Sequence, residues 1–438
     1  MNPRCVMVEA AGVADGGATS LAPGAVLLEQ DQRGGLATLA VGRPADVGHH
    51  PAAALAARIS LMDEVLIPGL INVHTHLDLT SIGPQPYHPA GGFVGWIDMV
   101  RAGRAAMTPE DVRQSVRRGV QLLHAGGVVA VGDIAGAGRP EPLEELRSSA
   151  LLGVSYTEFF GSGRRQEACV EAIHRLVDAE HASGRGSGGV RLGLQPHAPY
   201  SAGQRVYLAA TQISLQTGVP VCTHLAETID EQEFIAHGSG PIRRLLERLD
   251  IWDDTIAAEV GRGLTPVCHL VPHVGQAPYL VVHVNDCSDA DLEILAASNV
   301  SVAYCPRASA YFGHPEILGP HRFRDMMNAG ITVALGTDSI LNVPADQADR
   351  LSPLDDARLL FRRDHVDART LLRMMTTDGA RALHLDSELF RFEEQGGAIA
   401  GLAAVSVSGT DPGLPPADRV MAATGRIRLL EPGSLLPQ

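Results

Sequence analysis

Val65-Leu66-Ile67-Pro68-Gly69-Leu70-Ile71-Asn72-Val73-His74-Thr75-His76-Leu77 is an apolar run that ends in two histidines one residue apart. On a β-strand, residues i and i+2 point to the same face, so His74 and His76 present two imidazoles side by side at a strand end. That is a metal-binding pose. Three later segments repeat the theme: Val221-Cys222-Thr223-His224-Leu225-Ala226-Glu227, Leu280-Val281-Val282-His283, and Val333-Ala334-Leu335-Gly336-Thr337-Asp338. Each is a short apolar run closed by a residue able to bind or orient a metal.

Between residues 65 and 340 the pattern recurs eight times, with β-rich runs beginning near Leu66, Val128, Gly153, Val190, Val219, Leu280, Val300 and Ile331. Intervening segments read as amphipathic helices. Thr108 to Ala125 is one, opening on Thr108-Pro109-Glu110-Asp111 and spaced apolar at Val112, Val116, Val120 and Leu123. Eight alternating strands and helices imply an α/β protein built on a (β/α)8 TIM-like barrel, whose reactive residues sit at the C-terminal strand ends. His74 and His76 then end the first strand, His224 the fifth, His283 the sixth and Asp338 the eighth. First and eighth strands are neighbours in a closed barrel and the fifth lies across its mouth, so these residues can converge on one ion. Residues 1–64 are Gly/Ala-rich and weakly alternating, and β-like runs return at Ala398 to Ser408 and Arg426 to Leu430. The expected organisation is therefore 1–64 and 386–438 as the two parts of a small β domain and 65–385 as the barrel. Gly184 to Gly189 reads as a flexible surface loop before the fourth strand.

At 438 residues and 45% hydrophobic content, with no continuous apolar run long enough to span a bilayer, the chain is expected to be a soluble globular protein. Met1 to Gly12 lacks a basic start followed by an apolar stretch, so no secretory signal is expected. Six cysteines (Cys5, Cys169, Cys222, Cys268, Cys287, Cys305) without a Cys-x-x-Cys pair suit reduced thiols in a cytoplasm. With 35 basic against 50 acidic residues the net charge is -15, which argues against nucleic acid and anionic membranes as partners. All 35 basic residues are arginine. Lysine chemistry, Schiff bases and carboxylated lysine included, is therefore absent.

Further motifs carry a resemblance. They are Gly127-Val128 to Gly132-Asp133, Pro196-His197-Ala198-Pro199-Tyr200-Ser201, and Cys305-Pro306-Arg307 to Ala310-Tyr311-Phe312-Gly313-His314. With the metal motifs, from about Val65 to Leu385, the chain resembles the metal-dependent amidohydrolase superfamily. The branch is the cytosine-deaminase-like one, with its chlorohydrolases and bacterial adenosine and methylthioadenosine deaminases, and the last motif is most similar to aminodeoxyfutalosine deaminase. Two departures stand out. Many nucleoside-type members carry an acid just before the tryptophan of the segment matching Phe93-Val94-Gly95-Trp96, where this chain has Gly95. Ala308 and Ser309 replace the usual Ser then Asn or His.

The resemblance implies hydrolytic deamination of an amino-substituted heterocycle, nucleoside or base-like, by attack of metal-bound hydroxide. One divalent transition metal would be held by His74, His76, His224 and Asp338, a mixed N/O set suited to zinc and also to Fe, Mn or Ni. Without lysine on the fourth strand, a lysine-bridged second metal is excluded. Asp338 would also take the proton from water, Glu227 would act as general acid, and His283 would stabilise the attacking oxygen. Bland readings compete: Asp338 as a helix N-cap, Glu227 as a loop glutamate, His283 as a core histidine, His197 as a turn residue. Substrate contacts are expected from His197, Trp96, Arg307, Ser309, Tyr311 and His314. The partner is then a small heterocyclic molecule, and a homo-oligomer stays open. Alternatives are hydrolysis of another C–N or C–Cl bond, or a non-catalytic barrel used as a binding module. The last predicts loss of a metal or proton-transfer residue, whereas His74, His76, His224, Glu227, His283 and Asp338 are all present. Zinc deaminases of the His-x-Glu and Pro-Cys-x-x-Cys type are excluded, since neither motif occurs.

Overall fold

The structure, a computed structural model, describes residues 4–30, 35–184, 189–393 and 396–430. Eight strands form the barrel: β1 (Leu70–Thr75), β2 (Val128–Ala135), β3 (Leu152–Phe159), β4 (Val190–Pro196), β5 (Val221–Leu225), β6 (Tyr279–His283), β7 (Ser301–Tyr304) and β8 (Thr332–Leu335). They hydrogen-bond in chain order. Pairing is parallel from β3 through β8. The ring closes where Thr75 bridges Asp338 in parallel, with the Asp338 N–H donating to His74 O (3.1 Å) and the His76 N–H donating to Asp338 O (2.7 Å). This is the TIM-barrel architecture that the alternating pattern predicts. The strands read as near-continuous apolar runs because both faces are covered; β2 and β5 are buried along their whole length.

The apolar run from Val65 does not make one strand. Val65 to Pro68 complete a strand of a second sheet (Ala57–Pro68), where Leu66 lies opposite Ala404, and β1 starts only at Leu70. Gly69 is the switch: its N–H donates to Gly401 O (2.8 Å) and the next N–H, of Leu70, to Gly127 O (2.9 Å). The helix expected after β1 is present as Pro109–Ala125. Thr108 caps it: Thr108 Oγ1 accepts from the Asp111 N–H (3.2 Å), and Asp111 accepts from the Thr108 N–H (2.9 Å).

The second sheet interleaves both ends of the chain, in the order Gly397–Ile399, Leu36–Gly42, Gly24–Gln30, Arg4–Ala14, Ala57–Pro68, Leu402–Ser406, Ile427–Leu429. Alternation along Arg4–Ala14 explains its two-sided burial. Val6, Val8 and Ala10 pack with Val26, Leu66 and Leu402, whereas Met7 packs on the opposite face with Ala25, Leu27, Val47 and Ala53. The chain forms two compact units. One holds this sheet, with residues up to Asn72, Gln121–Ala130 and those from Asp349 on, and the other is Val73–Val120 with Val131–Ala348. Of the loop expected over Gly184 to Gly189, residues 185–188 lie outside the described residues. All six cysteines are unpaired, three of them buried. Among the described residues no helix is long and apolar enough to cross a membrane.

One glycine is a sensitive point of the barrel. Gly153, at the start of β3, has φ +130°, and a Cβ there would lie 1.9 Å from Val131 O. Gly153→Ala combines backbone strain with a clash against a fixed strand and is expected to destabilise the fold by about 2 kcal/mol or more. Urea unfolding of the purified variant checks this; an unchanged midpoint would contradict the tight β2–β3 approach.

Candidate active site

His74 and His76 leave β1 where it meets β8, and this meeting depends on Gly336, where a Cβ would lie 2.9 Å from both His74 Cβ and His74 O. The His74 ring stands edge-on to its neighbours, 5.1 Å from the His76 ring, 5.1 Å from His224 and 5.6 Å from His283. One nitrogen each from His74, His76 and His224 lies within 4.8 Å of the others, as do ligand atoms of His74, His283 and Asp338. Asp338 Oδ1 is 3.4 Å from His74 Nε2 and 3.6 Å from His76 Nε2. Four sequence-predicted ligands, separated by up to 264 residues (338 − 74), are thus side by side.

The donor set suits a divalent metal. His74 is fully buried, and among the described residues neither of its ring nitrogens has a hydrogen-bond partner. Leaving such a group unsatisfied costs about 1–3 kcal/mol, which a bound cation would remove. Burial pushes His76 and His224 well below the usual imidazole range, with neighbouring histidines adding to the effect, so both are neutral and offer lone pairs. Burial alone would raise Asp338, but the adjacent His74 and His76 hold it below the usual carboxylate range, as an anion. The Gln195 amide lies 3.3 Å from His224 Nδ1. With its carbonyl turned toward that nitrogen it would accept the Nδ1 proton and leave Nε2 for a metal.

Glu227 and His283 face each other above this cluster, Glu227 Oε1 lying 3.5 Å from His283 Nε2. Burial raises the Glu227 carboxyl well above its usual value, and Asp338 and Glu231 raise it further, which favours the protonated carboxyl. Burial pushes His283 down to about 3. The Glu227 turn is set by a residue the sequence reading did not single out: Glu231 accepts the Ala226 N–H at 3.0 Å and the Glu227 N–H at 2.8 Å. Ala137, Ala226, His283, Val284 and Asp338 all have positive φ and all lie at or just beyond the C-terminal ends of barrel strands, the location where strain accompanies function.

A second charged cluster also went unread in the sequence. Arg104, on the helix Gly92–Ala106, donates to Asp78 Oδ2 (2.8 Å) and to Glu158 Oε2 (3.0 Å), and approaches His76 Nδ1 (3.4 Å). Glu158 is the next-to-last residue of β3 as Glu227 follows β5, so the rule of an acid near the end of an apolar run would have found it. Its other oxygen, Oε1, is buried and lies 3.6 Å from His197 Nε2. Burial lowers His197 to about 4, and its Nδ1 meets Ser201 Oγ at 2.6 Å.

These groups floor a cleft of about 690 Å³. Its walls include Phe93, Trp96, Ile97, Val100, Phe160 and Tyr200. Of the expected substrate contacts, Trp96 and His197 line the cleft, whereas Arg307, Ser309, Tyr311 and His314 do not. On the short helix Pro306–Tyr311, Ser309 is buried and the Tyr311 hydroxyl donates to Gln85 O (2.9 Å), and beyond that helix the His314 ring packs on Phe312 at 5.4 Å. Phe160, unforeseen in the sequence, stands 47% exposed with its ring 4.5 Å from His197. Gly95 lines a separate cavity with Gln85, Tyr87 and Met99, and a Cβ there meets nothing within 4 Å.

The amidohydrolase family model matches residues 65–412. A 5-methylthioadenosine/S-adenosylhomocysteine deaminase from Haloarcula marismortui is 26% identical over 366 residues, 81% of this chain and 75% of that protein. An aminodeoxyfutalosine deaminase from Deinococcus radiodurans is 29% identical over 334 residues, 73% of each chain. Among solved structures, a zinc-bound adenosine deaminase from Xanthomonas campestris superposes with a TM-score of 0.71 at 20% identity, covering 96% of this chain and 89% of that one. That last likeness is one of fold.

Proposed function

The chain belongs to the amidohydrolase family, and we propose that it deaminates an amino-substituted heterocycle of the adenosine or free-base kind, using one divalent metal, zinc, held by His74, His76, His224 and Asp338. The observation that carries this reading is the Glu227–His283 pair, 3.5 Å apart, above the imidazole–carboxylate cluster at the floor of an aromatic-walled cleft. The two relatives reported above are named as deaminases, of 5-methylthioadenosine and S-adenosylhomocysteine and of aminodeoxyfutalosine, which supports the substrate class. The metal, when bound, supplies a Lewis acid that lowers the pKa of a water toward about 7.

The chain's own residues do the rest. Trp96 and Phe160 bracket a planar ring, and His197 hydrogen-bonds to its edge. Asp338, held anionic, accepts the proton of the water that attacks the ring carbon bearing the amino group. Glu227, held protonated, gives its proton to the adjacent ring nitrogen as that carbon becomes tetrahedral. Asp338 hands that water proton to Glu227, which delivers it to the amino group as ammonia departs, and the remaining hydroxyl proton, released as the C=O forms, restores the Glu227 carboxyl by the same route. His283 donates a hydrogen bond to the attacking oxygen as charge develops. Within the chain this chemistry is assigned to the barrel, expected over 65–385, although its first residues, Val65 to Pro68, belong to the second sheet and those from Asp349 on group with that sheet's unit.

The test is ammonia release from 5′-methylthioadenosine, S-adenosylhomocysteine, aminodeoxyfutalosine, adenosine, aminopyrimidines and aminotriazines by metal-loaded protein. At least one is expected to reach a kcat/KM of about 10^4 M⁻¹s⁻¹ or more. Because this chain has Gly95 where many nucleoside-type members carry an acid, adenosine itself is not expected to be the best, and Gly95→Glu is expected to favour nucleosides over free bases. Absence of ammonia from every compound, with chloride released from chlorotriazines, would overturn the deaminase reading.

A further inference from the structure

The strand that delivers His283 ends in an unusual backbone. His283 has φ +74° and Val284 φ +50°, two successive residues in the left-handed region, the second of them β-branched. Residues of this kind avoid that region unless their surroundings impose it. The peptide unit joining them is pinned at both ends. Its N–H, on Val284, donates to Leu225 O at 3.0 Å, and its carbonyl, on His283, accepts from His321 Nε2 at 2.7 Å. Since a carbonyl only accepts, His321 must carry its proton on Nε2. The His321 ring in turn lies flat on Tyr304, the last residue of β7, with centroids 3.7 Å apart and planes 16° from parallel. Next to it, Arg322 donates to Cys287 O (3.3 Å) and pairs with Asp289 (2.8 Å), so the segment carrying His321 is itself tied down.

We propose that His321 is a positioning residue: its Nε2–H latches the 283–284 peptide and thereby holds the His283 imidazole at Glu227 and over the histidine cluster. The latch rests on the functional reading of His283 given above, but it concerns a different bond. With the carbonyl released, one end of the peptide plane is free to rotate. His283 and Val284 then relax toward extended geometry, and the imidazole leaves its 3.5 Å contact with Glu227.

Two substitutions separate the donor from the stack. His321→Phe keeps an aromatic ring on Tyr304 without a donor, and His321→Gln keeps an N–H donor without the ring. Two readouts apply to metal-loaded protein: hydrogen exchange in the peptide covering 279–287, and kcat and KM on the best heterocycle of the screen above. His321→Phe is expected to accelerate exchange at the Val284 and Asp286 amides and to lower kcat by roughly 10- to 100-fold with KM little changed, the cost of displacing a catalytic group by about an ångström. His321→Gln is expected to restore both. In a His283→Ala background His321→Phe should bring no further loss of kcat. Wild-type exchange and turnover in His321→Phe, or a His321→Gln variant as impaired as His321→Phe, would overturn the latch. Normal turnover in His283→Ala alone would instead reject the role of His283, and the exchange data would still decide whether His321 holds the turn.

Discussion

The His74→Ala/His76→Ala double variant is expected to lose both its metal and all measurable deaminase turnover, while well-loaded wild-type protein carries about one equivalent per chain. The two imidazoles are half of the proposed ligand set, and His74 is the ring against which His76, His224 and His283 are all packed. A two-ligand remnant of His224 and Asp338 cannot close a tetrahedral site, so the loss should be complete and not graded. Circular dichroism is expected to keep the wild-type shape, because the barrel strands are held by main-chain pairing and apolar packing that the two substitutions leave in place. Elemental analysis after exhaustive dialysis is the check. Two equivalents in the wild type would point to a second ion, for which Glu158, His197 and His224 are the available donors. Metal retained undiminished in the double variant would reject the ligand assignment outright.

Glu227→Gln should be nearly as damaging to turnover but harmless to metal content. The side chain is buried, burial raises its carboxyl well above the usual value, and no sequence-predicted ligand needs it. Glutamine preserves the volume and a hydrogen-bond donor toward His283 but has no proton to transfer to a ring nitrogen. A fall in kcat of roughly 10^2- to 10^4-fold is expected, with KM and metal stoichiometry close to wild type. A fall below tenfold would remove Glu227 from the proton path. Loss of metal with loss of activity would make it a ligand.

Much of the barrel and its floor is legible in the sequence because both obey a period. Each strand is an apolar run, and each predicted ligand or proton carrier is the polar residue at or just beyond its C-terminal end, so His74, His224, His283 and Asp338 can be read from local pattern alone. Glu158 obeys the same rule at the end of β3 and was legible in principle. Arg104 was not. It sits on a helix whose turn toward Asp78 and Glu158 depends on where the loop after β1 sends the chain, and arginine on an amphipathic helix ordinarily marks the solvent face. Tyr311 and His314 are not among the residues lining the cleft. An aromatic cluster after β7 suggests a pocket wall, yet its rings are consumed by packing with Tyr87, Trp96 and Phe312. The run from Val65 hid a sheet boundary because Gly69 interrupts neither hydrophobicity nor burial, only the hydrogen-bonding partner.

The seam at which Thr75 bridges Asp338 has a consequence for biogenesis. During synthesis, Asp338 leaves the ribosome 262 residues (338 − 76) after His76, so for most of translation the nascent chain holds an incomplete set of donors and no closed ring. Closing that seam is the contact of longest sequence separation in the barrel and carries the largest loop-closure entropy. A cation captured across it binds the closed form and not the open one, and so adds RT ln(1 + [M]/Kd) to the closed state. The same ion that would activate water would therefore act as the clasp of the barrel, and its removal is expected to lower the resistance of the closed ring to unfolding.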